Sequence, residues 1–174
     1  MKIFIASSNE LEHERVFLTG DVSWSLNGLL CDLGSDERVE PEKWEYLDSS
    51  MGVEHKQEEY NRALSTCDGV VVLFWRKFGE YTESEFLTAL RSARSGGPVR
   101  RLAVLFKETG EAPSPELVAF KRKCPTLFGV EPASFLSDAE LRSRFLKLVF
   151  DLFRDEHPGF AIPDAATLAR YELA

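Results

Sequence analysis

The most informative stretch of this sequence is residues 69–86, which read GVVVLFWRKFGEYTESEF. Its first six residues carry no polar side chain, a run typical of a buried strand in a parallel sheet. An aromatic and basic loop follows, and a segment with helical spacing comes next. In open α/β sheets, ligands bind where a strand ends in such a loop before a helix. Glu85, near the start of this helix, is therefore the predicted catalytic carboxylate.

Strands and helices alternate along the rest of the chain. Apolar runs predict strands at residues 3–6, 38–47, 70–74, 102–106 and near Phe135, and helical periodicity predicts helices at residues 7–32, 54–66, 83–95, 115–123 and 137–154. This order predicts a central parallel five-stranded sheet with helices on both faces, the flavodoxin-like three-layer α/β sandwich. Residues 1–154 form the predicted domain. Residues 155–174 are interpreted as a linker toward a further domain or an ordered strap.

Three helix starts carry the capping-box pattern, in which Ser or Thr is followed three residues later by Glu. The pattern occurs at residues 7–10, 82–85 and 137–140. For Glu85 it offers a purely structural alternative to catalysis. A carboxylate in the first turn of a helix is stabilised as an anion. Such a group suits binding of a ribose hydroxyl or stabilisation of an oxocarbenium-like state, and does not suit a general acid.

Polar residues follow three of the predicted strands. Ser7 and Ser8 follow the first strand, Asp48 lies after the second, and residues 75–85 follow the third. Right-handed crossovers place the carboxyl ends of parallel strands along one edge of the sheet. The sequence therefore predicts that these three segments meet in one site.

Side-chain chemistry suggests roles for several of these residues. Trp75 and Tyr81 could stack on a flat ring, and the planar guanidinium of Arg76 could bind a phosphate. Ser7 and Ser8 could bind a phosphate at a helix N-terminus. For each residue a structural alternative stays open: loop packing for the aromatic rings, a solvated charge for the arginine and capping for the serines.

Composition limits the function further. The chain has 174 residues and a formal net charge of -8, which argues against a nucleic-acid partner. Its three cysteines and three histidines show no metal-ligand spacing, so no metal site is predicted. No stretch approaches the roughly 20 apolar residues of a membrane span. We therefore expect a cytoplasmic protein without a membrane partner.

At these residues the chain resembles the Toll/interleukin-1 receptor (TIR) domain family, in its divergent bacterial-type branch. In that family, Ser-x-Trp-Cys-x-x-Glu-Leu opens the third helix, and its Glu is catalytic in the members that cleave NAD+. Residues 79–86, Gly-x-Tyr-Thr-x-x-Glu-Phe, take the place of this motif. Glu85 falls on the catalytic Glu, while Tyr81 and Thr82 replace the Trp and Cys.

The resemblance extends over residues 1–154. Residues 2–8 are similar to the family's first strand and following loop, and residues 48–52 fall where the family has its BB loop, which takes part in self-assembly. The resemblance implies an NAD+ glycohydrolase that releases nicotinamide and ADP-ribose or a cyclic form. NAD+ would be its substrate, and no cofactor would be needed. Family members often act by self-association, in immune or antiphage defence signalling, as one domain of a longer protein.

Two other functions stay open. A TIR-like domain can be a self-association or adaptor module that performs no chemistry, and the altered motif favours that alternative. Nucleoside deoxyribosyltransferases are also similar, because they share the sheet, an Ile-Phe-x-Ala start in the first strand and a catalytic Glu. These enzymes exchange bases between nucleosides and are indifferent to NAD+.

Overall fold

The computed structural model describes residues 1–42 and 62–174, with the backbone alone for residues 80 and 81. The strands are β1 (Lys2–Ser7), β2 (Glu40–Glu42), β3 (Gly69–Phe74), β4 (Arg101–Lys107) and β5 (Ala133–Phe135). They form one parallel sheet in the order β2-β1-β3-β4-β5. This is the strand order of the flavodoxin-like sandwich, so the predicted fold class is confirmed.

The helices are α1 (Glu12–Phe17), α2 (Ser23–Asp32), α3 (Glu80–Arg94), α4 (Pro115–Leu127), α5 (Asp138–Glu156) and α6 (Ala165–Arg170). A 3-10 turn before α1 and a π-helical segment between α1 and α2 make residues 9–32 one helical run. α3 begins three residues before its predicted start, and α4 continues four residues beyond its predicted end. Residues 62–64 are helical. The rest of the predicted 54–66 helix, and the predicted second strand beyond residue 42, lie outside the described residues.

Alternate residues of the strands enter two separate cores. One face of the sheet packs against α1, α2 and α5; we call it the α5 face, and its buried strand residues are Ile3, Ile5, Val71, Leu73, Leu105 and Phe135. The other packs against α3 and α4; we call it the α3 face, and its strand residues are Phe4, Ala6, Val70, Val72, Phe74, Val104 and Phe106. Burial on both faces explains why the central strands are continuously apolar rather than alternating.

Gly69 allows close packing between β3 and α5. A Cβ atom at this position would lie 2.9 Å from Leu152 Cδ1 and 3.1 Å from Leu148 Cδ2. A glycine inside a strand often marks such a close approach. The first residue of β3 therefore sets how near α5 lies to the sheet.

The α3 face holds a group of packed phenylalanine rings. Phe78, in the loop after β3, lies with its ring centroid 4.7 Å from that of Phe120 and 5.9 Å from that of Phe74. Aromatic pairs at these distances contribute to packing beyond the area they bury. The ring of Phe78 therefore packs the loop after β3 onto the α3 face.

The segment after α5 lies across the α5 face as a strap. Its Phe160 ring packs 5.3 Å from Phe153, centroid to centroid. The hydroxyl of Tyr171 donates a hydrogen bond to Asp32 at the end of α2. Leu173 is 3% exposed and belongs to the core of this face.

Candidate functional site

The chain leaves β1 and β3 toward opposite faces of the sheet. After β1 it enters α1, which packs on the α5 face, and after β3 it enters α3, which packs on the α3 face. The two neighbouring loops therefore diverge beyond the carboxyl ends of these strands. Ser7 of β1 pairs with Leu73 of β3 at this edge. A switch point of this kind is where open α/β sheets bind ligands.

Glu85 lies in the second turn of α3, not in its first. The helix begins at Glu80 after Gly79, whose carbonyl accepts from the backbone N–H of Glu83 at 3.0 Å. Thr82 is thus the third helical residue, so the predicted capping box at residues 82–85 is wrong. Helical spacing instead places Thr82 and Glu85 on the buried side of the helix, with Phe86 and Ala89.

Burial determines the charge of Glu85. The side chain is 5% exposed, and the loss of hydration raises the pKa of its carboxyl group to about 8. The guanidinium of Arg15 acts in the opposite direction and lowers this pKa. The predicted stabilisation of the anion by the helix N-terminus is therefore wrong, because the group lies beyond the first turn, where that effect has faded.

Arg15 connects the end of β1 with Glu85. It is 1% exposed, and its Nη1 donates to Ser7 Oγ at 2.5 Å and to the carbonyl of Ser8 at 3.4 Å. Arg15 is absent from the predicted site residues. The signal that marks it is its place in the apolar pattern of the first helix, between Leu11 and Leu18, both of which are buried.

Ser7 and Ser8 do not cap the first helix with their side chains. Ser7 is the last residue of β1, and its hydroxyl accepts from Arg15. Ser8 precedes the 3-10 turn and makes no side-chain capping bond. Within the described part of the chain, its Oγ is buried and has no hydrogen-bond partner. The predicted capping box at residues 7–10 is wrong, and phosphate binding by the two serines stays a prediction.

Glu10 binds the loop after β3 instead of its own helix start. Its Oε1 accepts from the backbone N–H groups of Arg76 and Lys77, both at 3.1 Å, and its Oε2 accepts from Arg76 Nε at 3.3 Å. One carboxylate thus ties the first helical segment to the loop on the other side of the switch point. Sequence patterns missed this role, because the same Ser-x-x-Glu spacing also fits a local cap.

Trp75 and Arg76 contact residues other than Glu85. The indole N–H of Trp75 donates to the carbonyl of Thr109 at 2.8 Å, and its ring packs against the α5 face. Arg76 Cζ and Lys107 Nζ lie 4.1 Å and 4.4 Å from the centroid of this ring. Arg76 also pairs with Glu111 at 3.1 Å. The structure does not bring these two predicted substrate-binding residues to Glu85.

A cavity of about 520 Å³ lies at the carboxyl end of β4, beside the loop of residues 108–114. Trp75, Phe106 and Leu117 contribute apolar surface to it, and Lys121 and Arg122 contribute positive charge. Its volume is in the range of small-molecule sites. Trp75 therefore lines a concave region farther along the same edge of the sheet.

The structure thus brings some of the predicted site residues near one another. Ser7 and Glu85 both interact with Arg15, and Thr82 is 4% exposed one turn before Glu85 on the same helix. Asp48 lies outside the described residues, and so does the side chain of Tyr81. Their predicted roles stay predictions.

Among the described residues, one group of three potential metal ligands lies beside Met1, at the opposite end of β1 from Ser7. It comprises Glu37, Glu156 and His157, whose candidate ligand atoms all lie within 4.8 Å of one another. Both carboxylates already have cationic partners. Glu37 lies 3.6 Å from the N-terminal ammonium, and Glu156 lies 2.7 Å from Arg100.

Comparison with known proteins adds no name to this site. No protein-family model matches the chain, and no curated protein matches it. In residues 1–42 and 62–174, none of the helices combines the length and apolar character needed to cross a membrane.

Proposed function

We propose that this chain is a TIR-like NAD+ glycohydrolase of the cytoplasm, with Glu85 as its catalytic residue. The observation that carries the proposal is the burial of two ionisable side chains, Arg15 and Glu85, at the switch point of a flavodoxin-like sheet. Arg and Glu are almost never fully buried unless they are paired, and perturbed carboxyl groups cluster at active sites. The sequence resemblance of residues 79–86 to the TIR motif assigns the same glutamate.

The proposed reaction breaks the bond between C1′ of the ribose and the nicotinamide nitrogen. The bonding electron pair leaves with nicotinamide, which becomes neutral, and positive charge develops on the ribose. The Glu85 carboxylate would stabilise this oxocarbenium-like state and hold a ribose hydroxyl. Water then adds to C1′ and loses a proton, giving ADP-ribose. Attack by the adenine ring instead of water would give the cyclic form.

The raised pKa of Glu85 fits this chemistry if the substrate helps the carboxyl group to ionise. In the free protein, burial favours the neutral form at neutral pH. NAD+ brings a positively charged pyridinium ring, and an opposite charge nearby favours the carboxylate. Together with Arg15, the bound substrate would generate the anion where the reaction needs it.

The test is nicotinamide release from NAD+ by the wild type and by Glu85→Gln, at high protein concentration with a crowding agent to promote self-association. Gln matches the shape of a neutral carboxyl group but cannot become an anion. We expect release by the wild type and a loss of at least about 100-fold in the variant, since removing one electrostatic stabiliser of a transition state costs about that much.

The matched control is Glu83→Gln, the same change on the same helix at a position that is only partly buried. This control should keep wild-type activity. Equal activity in wild type and Glu85→Gln would refute the assignment of Glu85. Inactivity of a folded wild type under assembly-promoting conditions would favour a non-catalytic self-association module, and base exchange between nucleosides would favour the transferase alternative.

The resemblance also suggests the biological setting. We propose that the enzyme acts in immune or antiphage defence signalling and self-associates through TIR-like surfaces, as one domain of a longer protein. Light scattering with and without NAD+ would test the self-association, and its failure would leave the assignment of Glu85 intact.

A further inference from the structure

We infer that Arg15 is the positioning residue for Glu85. From the α5 face, its guanidinium reaches over the end of β1, holds the Ser7 hydroxyl and presents its charge to the Glu85 carboxyl group. The catalytic consequence of this inference depends on the proposed function, but the interaction itself can be measured without any activity.

The first support is the burial of the guanidinium. Arg15 is 1% exposed, on the side of the first helix that carries Leu11 and Leu18. A buried charge is costly unless it is paired and hydrogen-bonded. Its Nη1 donates to Ser7 Oγ at 2.5 Å, which holds the guanidinium at the end of β1.

The second support is the topology at the switch point. Arg15 belongs to a helix on the α5 face, and Glu85 belongs to α3 on the other face. Beyond the carboxyl ends of the strands, the sheet no longer separates side chains of the two helical layers. Ser7, the last residue of β1, lies at this edge and contacts Arg15 directly.

The third support is that the neighbouring charges have other partners. On the helical run of Arg15, Glu10 binds Arg76 and Lys77 in the loop after β3, while Glu14 pairs with Lys107 of β4. Among the described residues, Arg15 is the charged group that acts on the Glu85 carboxyl.

The sign of the effect follows from Coulomb's law. A nearby positive charge favours the carboxylate over the neutral acid, so Arg15 lowers the pKa of Glu85 against the effect of burial. Removal of the guanidinium should raise this pKa. If the carboxylate is the active form, the pH profile of kcat/KM must move in the same alkaline direction.

The experiment is a titration of Glu85 by NMR of protein labelled with 13C at the glutamate carboxyl groups. The resonance that is missing in Glu85→Gln identifies the residue. We expect Arg15→Met to raise the titration midpoint by at least about one pH unit, the effect of an opposite charge within a few ångströms. Arg15→Lys keeps the positive charge but lacks the guanidinium that donates to Ser7. The titration midpoint of Glu85 in this variant should therefore lie between those of the wild type and Arg15→Met.

Arg91→Met is the matched control, because it removes an exposed positive charge from the same helix as Glu85 and should leave the midpoint unchanged. If Arg15→Met fails to fold, Arg15→Lys and Ser7→Ala decide the question. Ser7→Ala removes the acceptor that holds the guanidinium, and should also raise the midpoint.

A wild-type midpoint in every folded Arg15 and Ser7 variant would overturn the inference. A raised midpoint without any nicotinamide release would support the inference while refuting the proposed function. A raised midpoint with a pH profile of nicotinamide release moved by the same amount would support both. For a midpoint raised by one unit, the rate at neutral pH should fall about tenfold.

Discussion

At the scale of the residue, the environment of Glu85 determines its chemistry. A helix N-terminus would favour its anion, whereas the apolar surroundings of Phe86 and Ala89 favour its neutral form. The sequence predicts a stabilised anion at Glu85, but the helix starts three residues earlier than predicted, so the residue lies in the second turn rather than the first. The pH dependence of stability reports on this environment directly.

We expect Glu85→Gln to make the fold more stable than the wild type as pH rises. The pKa of Glu85 is raised from 4.5 to about 8 on folding, so its stabilising contribution is complete below 4.5 and is lost as pH approaches 8. Each pKa unit corresponds to about 1.4 kcal/mol, so the difference in unfolding free energy should reach a few kcal/mol. Urea unfolding of both proteins across this range measures it.

Glu83→Gln serves again as the control, since its partly exposed side chain has no comparable burial to relieve. Its unfolding free energy should follow that of the wild type at every pH. Parallel curves for the wild type and Glu85→Gln would show that the carboxyl group is hydrated in solution.

At the scale of the element, three capping patterns of the same type have different outcomes. At residues 137–140 the pattern marks a helix start as predicted, because the Ser137 hydroxyl accepts from the N–H of Glu140. At residues 7–10, Glu10 instead accepts hydrogen bonds from the loop after β3. At residues 82–85, Glu85 is buried in the core. A local pattern predicts a cap only where tertiary contacts do not compete for the same carboxylate.

Glu10→Ala should loosen the loop after β3. The change removes the carboxylate that accepts from the backbone N–H groups of Arg76 and Lys77, and a hydrogen bond to a charged group contributes about 1.5–3 kcal/mol. We expect faster hydrogen exchange at these two amides and a lower melting temperature. Amide exchange followed by NMR, with thermal unfolding beside it, tests both effects.

Glu12→Ala is the appropriate comparison, because Glu12 is an exposed acid on the same helical run. It should leave the exchange of both amides unchanged. Unchanged protection in Glu10→Ala would mean that the carboxylate does not hold the loop in solution.

At the scale of the whole molecule, the fold could be predicted from the sequence more completely than the site. Strand order and the edge that carries the site follow from apolar runs and right-handed crossovers, which many residues specify together. The inferred effect of Arg15 on Glu85 depends on single side chains far apart in the chain. In the sequence, the only indication of this interaction is that Arg15 is a charged residue within the apolar pattern of the first helical run.

The strap contributes to the stability of the whole fold through Leu173. This side chain is 3% exposed in the core of the α5 face, so Leu173→Ala should lower the unfolding free energy by about 2 kcal/mol. Ile162→Ala, at a side chain that is 50% exposed, should change it by less than about 0.5 kcal/mol. If chemical denaturation gave equal changes in unfolding free energy for the two variants, Leu173 would not be packed in the core in solution.

The attachment of Arg15 and Glu85 to different helical layers has a mechanical consequence. The distance between their charges depends on how the two layers are aligned across the sheet, whereas each side chain is fixed within its own layer. A small sliding of the layer that carries α3 would therefore alter the acidity of the carboxyl group even if the contact between Arg15 and Ser7 were kept. On the inferred pairing, the protonation of Glu85 would depend on the alignment of the two helical layers, and an assembly that displaced the outer helices would change it.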